Sequence, residues 1–350
     1  MFWRVGKILS NNVGIDLGTS NTLVHIKGHG IVIDEPSVVA INQKTGRVVA
    51  VGTEANQMIG RTPAHIQSVK PLSGGVISNY EVAEEMISYF LKRTAGLVGG
   101  NFFRPRVVVG VPSSITNVER RAVRDATISA GARVVHIIEE PMAAAIGVNL
   151  PIFEPVGNMV VDIGGGTTDI AVISLGGMVK VKNLAIAGEK FNQDIINYVR
   201  DEFKILLGDR TAEEVKIKIG AVIKQDRDNE TLVRGRDLVT GLPREVAITD
   251  VDIREAIFGS LTVFVDAIKE VLETTPPEVV SDIMRHGLVL TGGGSLIRGL
   301  SEFLVKELEI PVSLATEPLL SVVNGTGVVL DDLETYRDLL IDNEEELTPK

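Results

Sequence analysis

Gly14-Ile15-Asp16-Leu17-Gly18-Thr19-Ser20-Asn21-Thr22 runs from an apolar strand through an aspartate into a tight polar turn and a second strand. Val161-Asp162-Ile163-Gly164-Gly165-Gly166-Thr167-Thr168-Asp169 repeats that arrangement. In both, the order is strand, aspartate, apolar residue, glycine, turn, strand. A hairpin of this kind opening two parts of one chain points to two similar lobes.

Outward from the hairpins, residues 13–16, 22–26, 107–111, 134–138, 159–162, 170–174 and 288–291 have the apolar runs of strands. Helical periodicity covers 82–94, 117–130, 141–148, 191–206, 252–272 and 295–307. This alternation predicts an α/β chain of parallel sheets with helices on both faces. Smaller insertions near 33–70 and 184–247 decorate the lobes, and a cleft between the lobes is expected. The length of 350 residues agrees, because single cores stop growing near roughly 250–300 residues.

Composition removes several function classes. The chain has no cysteine, which excludes thiol catalysis, disulfides and thiolate metal sites. A net charge of −11 argues against a nucleic-acid partner, and the acidic end of the chain has the composition of a solvated surface segment. No apolar run approaches the roughly 20 residues that span a bilayer, and the first residues lack a signal-peptide core. The expectation is a chain that stays inside the cell.

The turn Gly18, Thr19, Ser20, Asn21 can converge its backbone N–H groups on an anion. Asp16 at the strand end can hold a Mg²⁺-bound water, since Mg²⁺ keeps most of its waters and accepts one or two carboxylates. An ordinary hairpin turn with an aspartate cap is the other reading. Gly164, Gly165 and Gly166 allow close approach to a phosphate, Thr167 and Thr168 add hydroxyls, and Asp162 repeats Asp16. Two such loops facing one another would clamp a β,γ-phosphate and its metal.

A third cluster, Gly292, Gly293, Gly294 and Ser295, follows a strand; a purine could lie on it, or the glycines could serve a turn that needs positive φ. Glu213 and Lys216 share one helix face, where they could bond ribose or adenine or form a surface ion pair. Glu140 precedes Pro141 and the small-residue helix Met142-Ala143-Ala144-Ala145-Ile146-Gly147. It could orient or deprotonate a water attacking a γ-phosphate, or could be a charge stabilised at a helix N-terminus.

The order of these motifs resembles the actin and heat-shock chaperone ATPase superfamily. Within it, Asp34-Glu35-Pro36-Ser37-Val38-Val39-Ala40, Gly60-Arg61-Thr62-Pro63 and the runs beginning at Glu140 and Asp162 are similar to the MreB family of bacterial actins. The resemblance implies an actin-like two-lobed α/β fold, each lobe a mixed β-sheet with flanking helices and a small inserted subdomain, around a nucleotide cleft. It places 1–32, 71–147 and 311–350 in the first large subdomain, with 33–70 inserted, and 148–183 and 248–310 in the second, with 184–247 inserted.

By the same resemblance the cofactors are ATP and Mg²⁺, with Asp16 and Asp162 near the metal, Glu140 on the attacking water and Thr167 near the γ-phosphate. Glu213-Glu214-Val215-Lys216 and Gly292–Ser295 would meet the nucleoside. The implied activity is slow ATP hydrolysis coupled to polymerisation. The implied partners are further copies of the chain, in polar protofilaments paired antiparallel, the inner membrane surface, and membrane morphogenesis proteins such as RodZ and MreC. The implied role is organising wall synthesis in rod-shaped cells. Three positions depart from the pattern: Asn56 replaces a common lysine, Ser20 an alanine, and Asn324 makes the start of a second connecting helix, 324–330, more polar.

Met1, Phe2, Val5, Ile8 and Leu9, with Trp3 beside them, form the apolar side of a short amphipathic segment that carries Arg4 and Lys7. Phe102 and Phe103 lie in a glycine-rich stretch followed by Arg104 and Arg106. The resemblance makes both membrane contacts. Competing readings are a chaperone-type ATPase, which would carry a substrate domain beyond residue 330, and a sugar or acetate kinase with an acceptor in the cleft.

Overall fold

The computed structural model describes residues 12–97, 104–225 and 229–341. The chain forms two units, one of Met1–Glu154, Leu175–Met178 and Leu319–Lys350, the other of Pro155–Ser174 and Val179–Pro318. The proposed membrane-contact residues Phe2, Trp3, Val5, Ile8, Leu9, Phe102 and Phe103 lie outside the described residues. Among those that are described, no helix is long and apolar enough to cross a membrane.

In the first unit β1 (Val13–Leu17) turns back as β2 (Asn21–Ile26) and continues to β3 (Gly30–Pro36). An insertion follows: β4 (Val39–Asn42), β5 (Val48–Val51), α1 (Thr53–Met58) and β6 (Ile66–Val69), with β4 central in a small sheet. The hairpin β7 (Leu72–Ser73) and β8 (Val76–Ile77) leads to α2 (Tyr80–Leu97), β9 (Arg106–Val111), α3 (Asn117–Ser129), β10 (Val134–Glu139) and α4 (Glu140–Gly147). The main sheet has the order β10-β9-β1-β2-β3. Strand alternation sends Val13, Ile15, Leu17, Val107 and Val109 into a core with Met86 and Phe90 of α2 and Val123 of α3.

The second unit begins with β11 (Asn158–Ile163), β12 (Thr168–Ser174), β13 (Gly177–Leu184) and α5 (Gly188–Phe203). Its insertion holds β14 (Ile205–Leu206), α6 (Asp209–Ile219), β15 (Glu230–Asp237) and β16 (Pro243–Thr249). Then come α7 (Asp250–Glu273), α8 (Pro277–His286), β17 (Leu288–Thr291), α9 (Leu300–Leu308) and β18 (Val312–Leu314). The order β18-β17-β11-β12-β13 repeats that of the first unit. In both sheets the central hairpin is antiparallel and the next two strands are parallel to its first strand, so the sheets are mixed rather than all parallel. Met159, Val161 and Ile163 pack beneath Ile195 and Val199 of α5 and Leu261 and Phe264 of α7.

Two expected helices have different bounds in the structure. The one expected over 191–206 stops at Phe203, because Lys204 turns left-handed at φ 57° and Ile205–Leu206 leaves as a strand paired with β15. The one expected over 295–307 begins only at Leu300, after Gly299 at φ 77°, with a 3₁₀ turn at Gly293–Leu296 before it. Residues 148–154 lie with the first unit and 311–318 with the second, where β18 extends the sheet beside β17.

After β18 the chain rejoins the first unit as α10 (Ser321–Asp331), packed directly on α4. A Cβ on Gly147 would lie 1.9 Å from the Ser321 carbonyl oxygen, and one on Gly325 would lie 1.8 Å from that of Ala143. Only glycine allows this backbone-to-backbone approach.

Candidate functional site

In the first unit Asp16 stands at the carboxyl end of β1, on the face opposite the core side chains. Its register partner on β9 is Gly110, and Gly110 also pairs with Ile138 of β10, two residues before Glu140. A Cβ on Gly110 would first meet the Val322 side chain at 3.0 Å and then Cγ of Glu140 at 3.6 Å, so the glycine makes room for both. Neighbouring strands lie about 4.8 Å apart and β9 stands between the two, so Asp16 and the buried Glu140 sit about two strand spacings apart at the same end of the sheet. That region, outside the carboxyl ends of parallel strands, is where open α/β sheets bind ligands.

The turn after Asp16 has its carbonyls tied down. The Ser37 hydroxyl donates to the Gly18 carbonyl at 2.6 Å, and the Ser37 N–H donates to the Ser20 carbonyl at 2.9 Å. Thr19 is buried, and its hydroxyl accepts from the Gly75 N–H at 2.9 Å. Asn21 donates to Asp34 at 2.8 Å, while Ser20 is exposed. Backbone amides and Ser20 are therefore the groups this turn offers outward; the Thr19 side chain is spent within the fold.

In the second unit Asp162 pairs in register with Asp169 on β12 and Thr291 on β17. It is buried, and Thr291 gives it a hydrogen bond of 2.7 Å, its one hydrogen-bond partner among the described residues. Burial raises its carboxyl to a pKa of about 6, against the Thr291 hydrogen bond and with help from the nearby Asp169 charge. A desolvated carboxylate with so little compensation suits a cation or a hydrated cation. Among the described residues no three His, Asp or Glu side chains converge as a cage, so Mg²⁺ here would complete its shell with water and phosphate.

The second turn is held in the same sense as the first. The Gly188 N–H donates to the Gly164 carbonyl at 3.1 Å and the Glu189 N–H to the Gly165 carbonyl at 2.8 Å. The N-terminus of α5 thus draws the loop carbonyls to itself. Thr168 donates to the Ile186 carbonyl, whereas the Thr167 hydroxyl makes no hydrogen bond to the described residues.

Lys216 is buried and donates to the Gly188 carbonyl at 2.9 Å and to Glu213 at 2.8 Å, which ties α6 to the start of α5. Glu214 faces outward with Arg210, and Val215 belongs to the core, so of the four expected nucleoside residues only Glu213 and Lys216 direct side chains here. Gly292 and Gly294 have a packing reason of their own. A Cβ on Gly292 would meet the Ile163 carbonyl oxygen at 2.4 Å, and one on Gly294 the Ile163 side chain at 2.3 Å. Ser295 is buried, its hydroxyl donating to the Gly292 carbonyl. That leaves Gly293 as the exposed surface of the cluster.

The model of the MreB/Mbl protein family matches residues 10–338. The chain belongs to the MreB/Mbl family. It is 47% identical over 327 residues to the cell shape-determining protein Mbl of Bacillus subtilis, covering 93% of this chain and 98% of the relative. It is 48% identical over 335 residues to the cell shape-determining protein MreB of Escherichia coli, covering 94% and 96%. Among solved structures, MreB5 of Spiroplasma citri bound to ADP superposes with a TM-score of 0.89 at 36% identity, covering 94% of this chain and 98% of the other. The same protein bound to AMPPNP gives 0.88. The fold is therefore the actin-like one, and the mixed sheets are those of the MreB/Mbl family.

Four residues that shape the loops of this MreB/Mbl chain escaped the sequence reading. Thr291 stood beside the third glycine cluster, and Ser37 lay inside a quoted run without a role. Gly110 had no local signal. Neither did Asn192, whose amide donates to Glu213 at 2.5 Å while its buried side-chain carbonyl has no partner among the described residues.

Proposed function

We propose that this chain is an ATP-dependent, filament-forming bacterial actin that assembles on the inner face of the cytoplasmic membrane and organises wall synthesis to maintain rod shape. The observation that carries the reading is the pair of hairpins in which an aspartate precedes a turn whose carbonyls are held away, leaving amides for an anion. The MreB5 relative was bound to ADP and AMPPNP, which supports an adenine nucleotide as that anion. Asp16 and Asp162 would hold Mg²⁺ through water, and the ion would neutralise phosphate charge. Glu140 positions a water and accepts its proton as the water attacks the γ-phosphate, giving ADP and phosphate. Glu213, braced by Lys216 and Asn192, takes the nucleoside, and Thr167 meets the γ-phosphate.

Hydrolysis is slow and follows assembly into polar protofilaments that pair antiparallel. Membrane contact comes from the first nine residues and from Phe102 and Phe103, and RodZ and MreC are the expected membrane partners. Sedimentation of the purified protein with Mg²⁺ and ATP, ADP or no nucleotide tests the core of this reading. ATP-dependent polymer supports it; phosphate transfer to a sugar without polymer would replace the actin by a kinase.

A further inference from the structure

We infer that Ser37 is a positioning residue for nucleotide binding, which shapes the first phosphate turn in the way the N-terminus of α5 shapes the second. This rests on the nucleotide reading above and adds to it a residue outside both glycine turns.

The two turns present one problem with two solutions. A phosphate loop works when its amides point at the anion and its carbonyls, which would repel it, point elsewhere. In the second unit two successive helix amides, Gly188 and Glu189, capture the carbonyls of Gly164 and Gly165. Among the described residues the bonds to the Gly18 and Ser20 carbonyls of the first turn come from no helix. There a single residue does both tasks: the Ser37 hydroxyl captures the carbonyl of Gly18 and its backbone N–H captures that of Ser20.

The hydroxyl has one proton, and the 2.6 Å bond to Gly18 uses it. The 2.9 Å contact with Thr22 therefore runs from the Thr22 hydroxyl to the Ser37 oxygen. Thr22 thereby fixes the Ser37 rotor so that its proton faces Gly18. Ser37 is completely buried and Thr22 is 1% exposed, so the two hydroxyls are shielded from water. A loop of this kind needs its support to be rigid as well. The segment carrying Ser37 is pinned on its other side. Glu35 accepts from the Thr53 N–H at 2.7 Å and from Arg93 at 2.6 Å, and Asp34 accepts from Asn21 at 2.8 Å.

The test is titration calorimetry of the full chain with Mg²⁺ and AMPPNP, ADP or AMP, comparing wild type with Ser37→Ala. Losing one buried hydroxyl from a shared network and releasing the Gly18 carbonyl should weaken AMPPNP and ADP about tenfold, while AMP, which lacks the outer phosphates, should change by less than about twofold. An equal loss for all three nucleotides would mean a merely structural role and would overturn the inference; so would unchanged AMPPNP and ADP affinity. If Ser37→Ala fails to fold by circular dichroism, Thr22→Val carries the test, since it keeps the volume and removes only the hydroxyl that orients Ser37. It should show the same preference for AMP in smaller measure, and a uniform or absent effect counts against Ser37. A wild type that binds none of the nucleotides would instead overturn the proposed function.

Discussion

Thr291 donates its hydroxyl to Asp162 across 2.7 Å, joining neighbouring parallel strands at the point where β11 enters its glycine turn. The bond offsets only part of the cost of burial, and the Asp162 carboxyl stays displaced upward to about 6. The folded state therefore binds this proton more tightly than the unfolded chain does. The contribution of this one group to the stability of the nucleotide-free protein falls as pH rises from about 4 to about 6 and is flat above that. The displacement corresponds to at most about 3 kcal/mol. Asp162→Asn keeps an acceptor for Thr291 and removes the charge. It should melt above wild type in the nucleotide-free state above pH ~6, with the gap closing toward pH ~4. The same variant should bind Mg²⁺-AMPPNP less tightly. Equal melting temperatures across that range would show that the carboxylate is not strained.

Glu140 lies at the same end of the sheet as Asp16 but in neither glycine turn, so its removal should spare binding. Glu140→Ala is expected to keep AMPPNP affinity and polymer mass while slowing phosphate release by about 100-fold or more, the usual scale for losing a general base. Single-turnover phosphate release at matched polymer mass measures it. An unchanged rate would remove Glu140 from the chemistry.

The crossing of α4 and α10 gives a contrast between glycines. Gly147→Ala and Gly325→Ala each push a methyl against a carbonyl oxygen of the facing helix, and each should destabilise by about 2 kcal/mol or more. Both force the same two helices apart, so the double variant should lose less than the two losses combined. Gly259, on the exposed face of α7, has no neighbour within 4 Å of a Cβ, and Gly259→Ala should stabilise by about 0.5–1 kcal/mol. Urea denaturation of the four variants decides it; a neutral Gly147→Ala would mean that the helices part easily.

What could be read from the chain follows the range over which each signal acts. The hairpins were legible because strand, aspartate and glycine are adjacent in sequence. Bonds such as Thr291 to Asp162 or Ser37 to Gly18 depend on which strands become neighbours, and no local pattern carries that. Helix periodicity ran on through Ile205 and Leu206 because both are apolar, as a β-strand with a buried Ile205 also requires. The glycines at 292 and 294 can be read as a purine surface, and the structure adds that their missing side chains make room for Ile163. Glycine marks close approach without naming what approaches.

The last expectation concerns the membrane. The chain carries a net charge of −11, so in the proposed membrane contact it would meet an anionic bilayer without broad electrostatic attraction, and burial of apolar side chains would have to supply the binding. Phe2, Leu9, Phe102 and Phe103 could each contribute roughly 1.5–3 kcal/mol if fully removed from water, part of which offsets the ordering of their segments. A single subunit then binds weakly. The proposed filament would present many copies along one side, and each docked subunit would hold its neighbours near the lipid at high effective concentration. ATP-assembled protein should therefore float with liposomes and unassembled protein should float poorly. Removing residues 1–9 together with Phe102→Ala and Phe103→Ala should abolish flotation while leaving assembly intact. Equal flotation of that variant and the wild type at matched polymer mass would mean that another surface makes the contact.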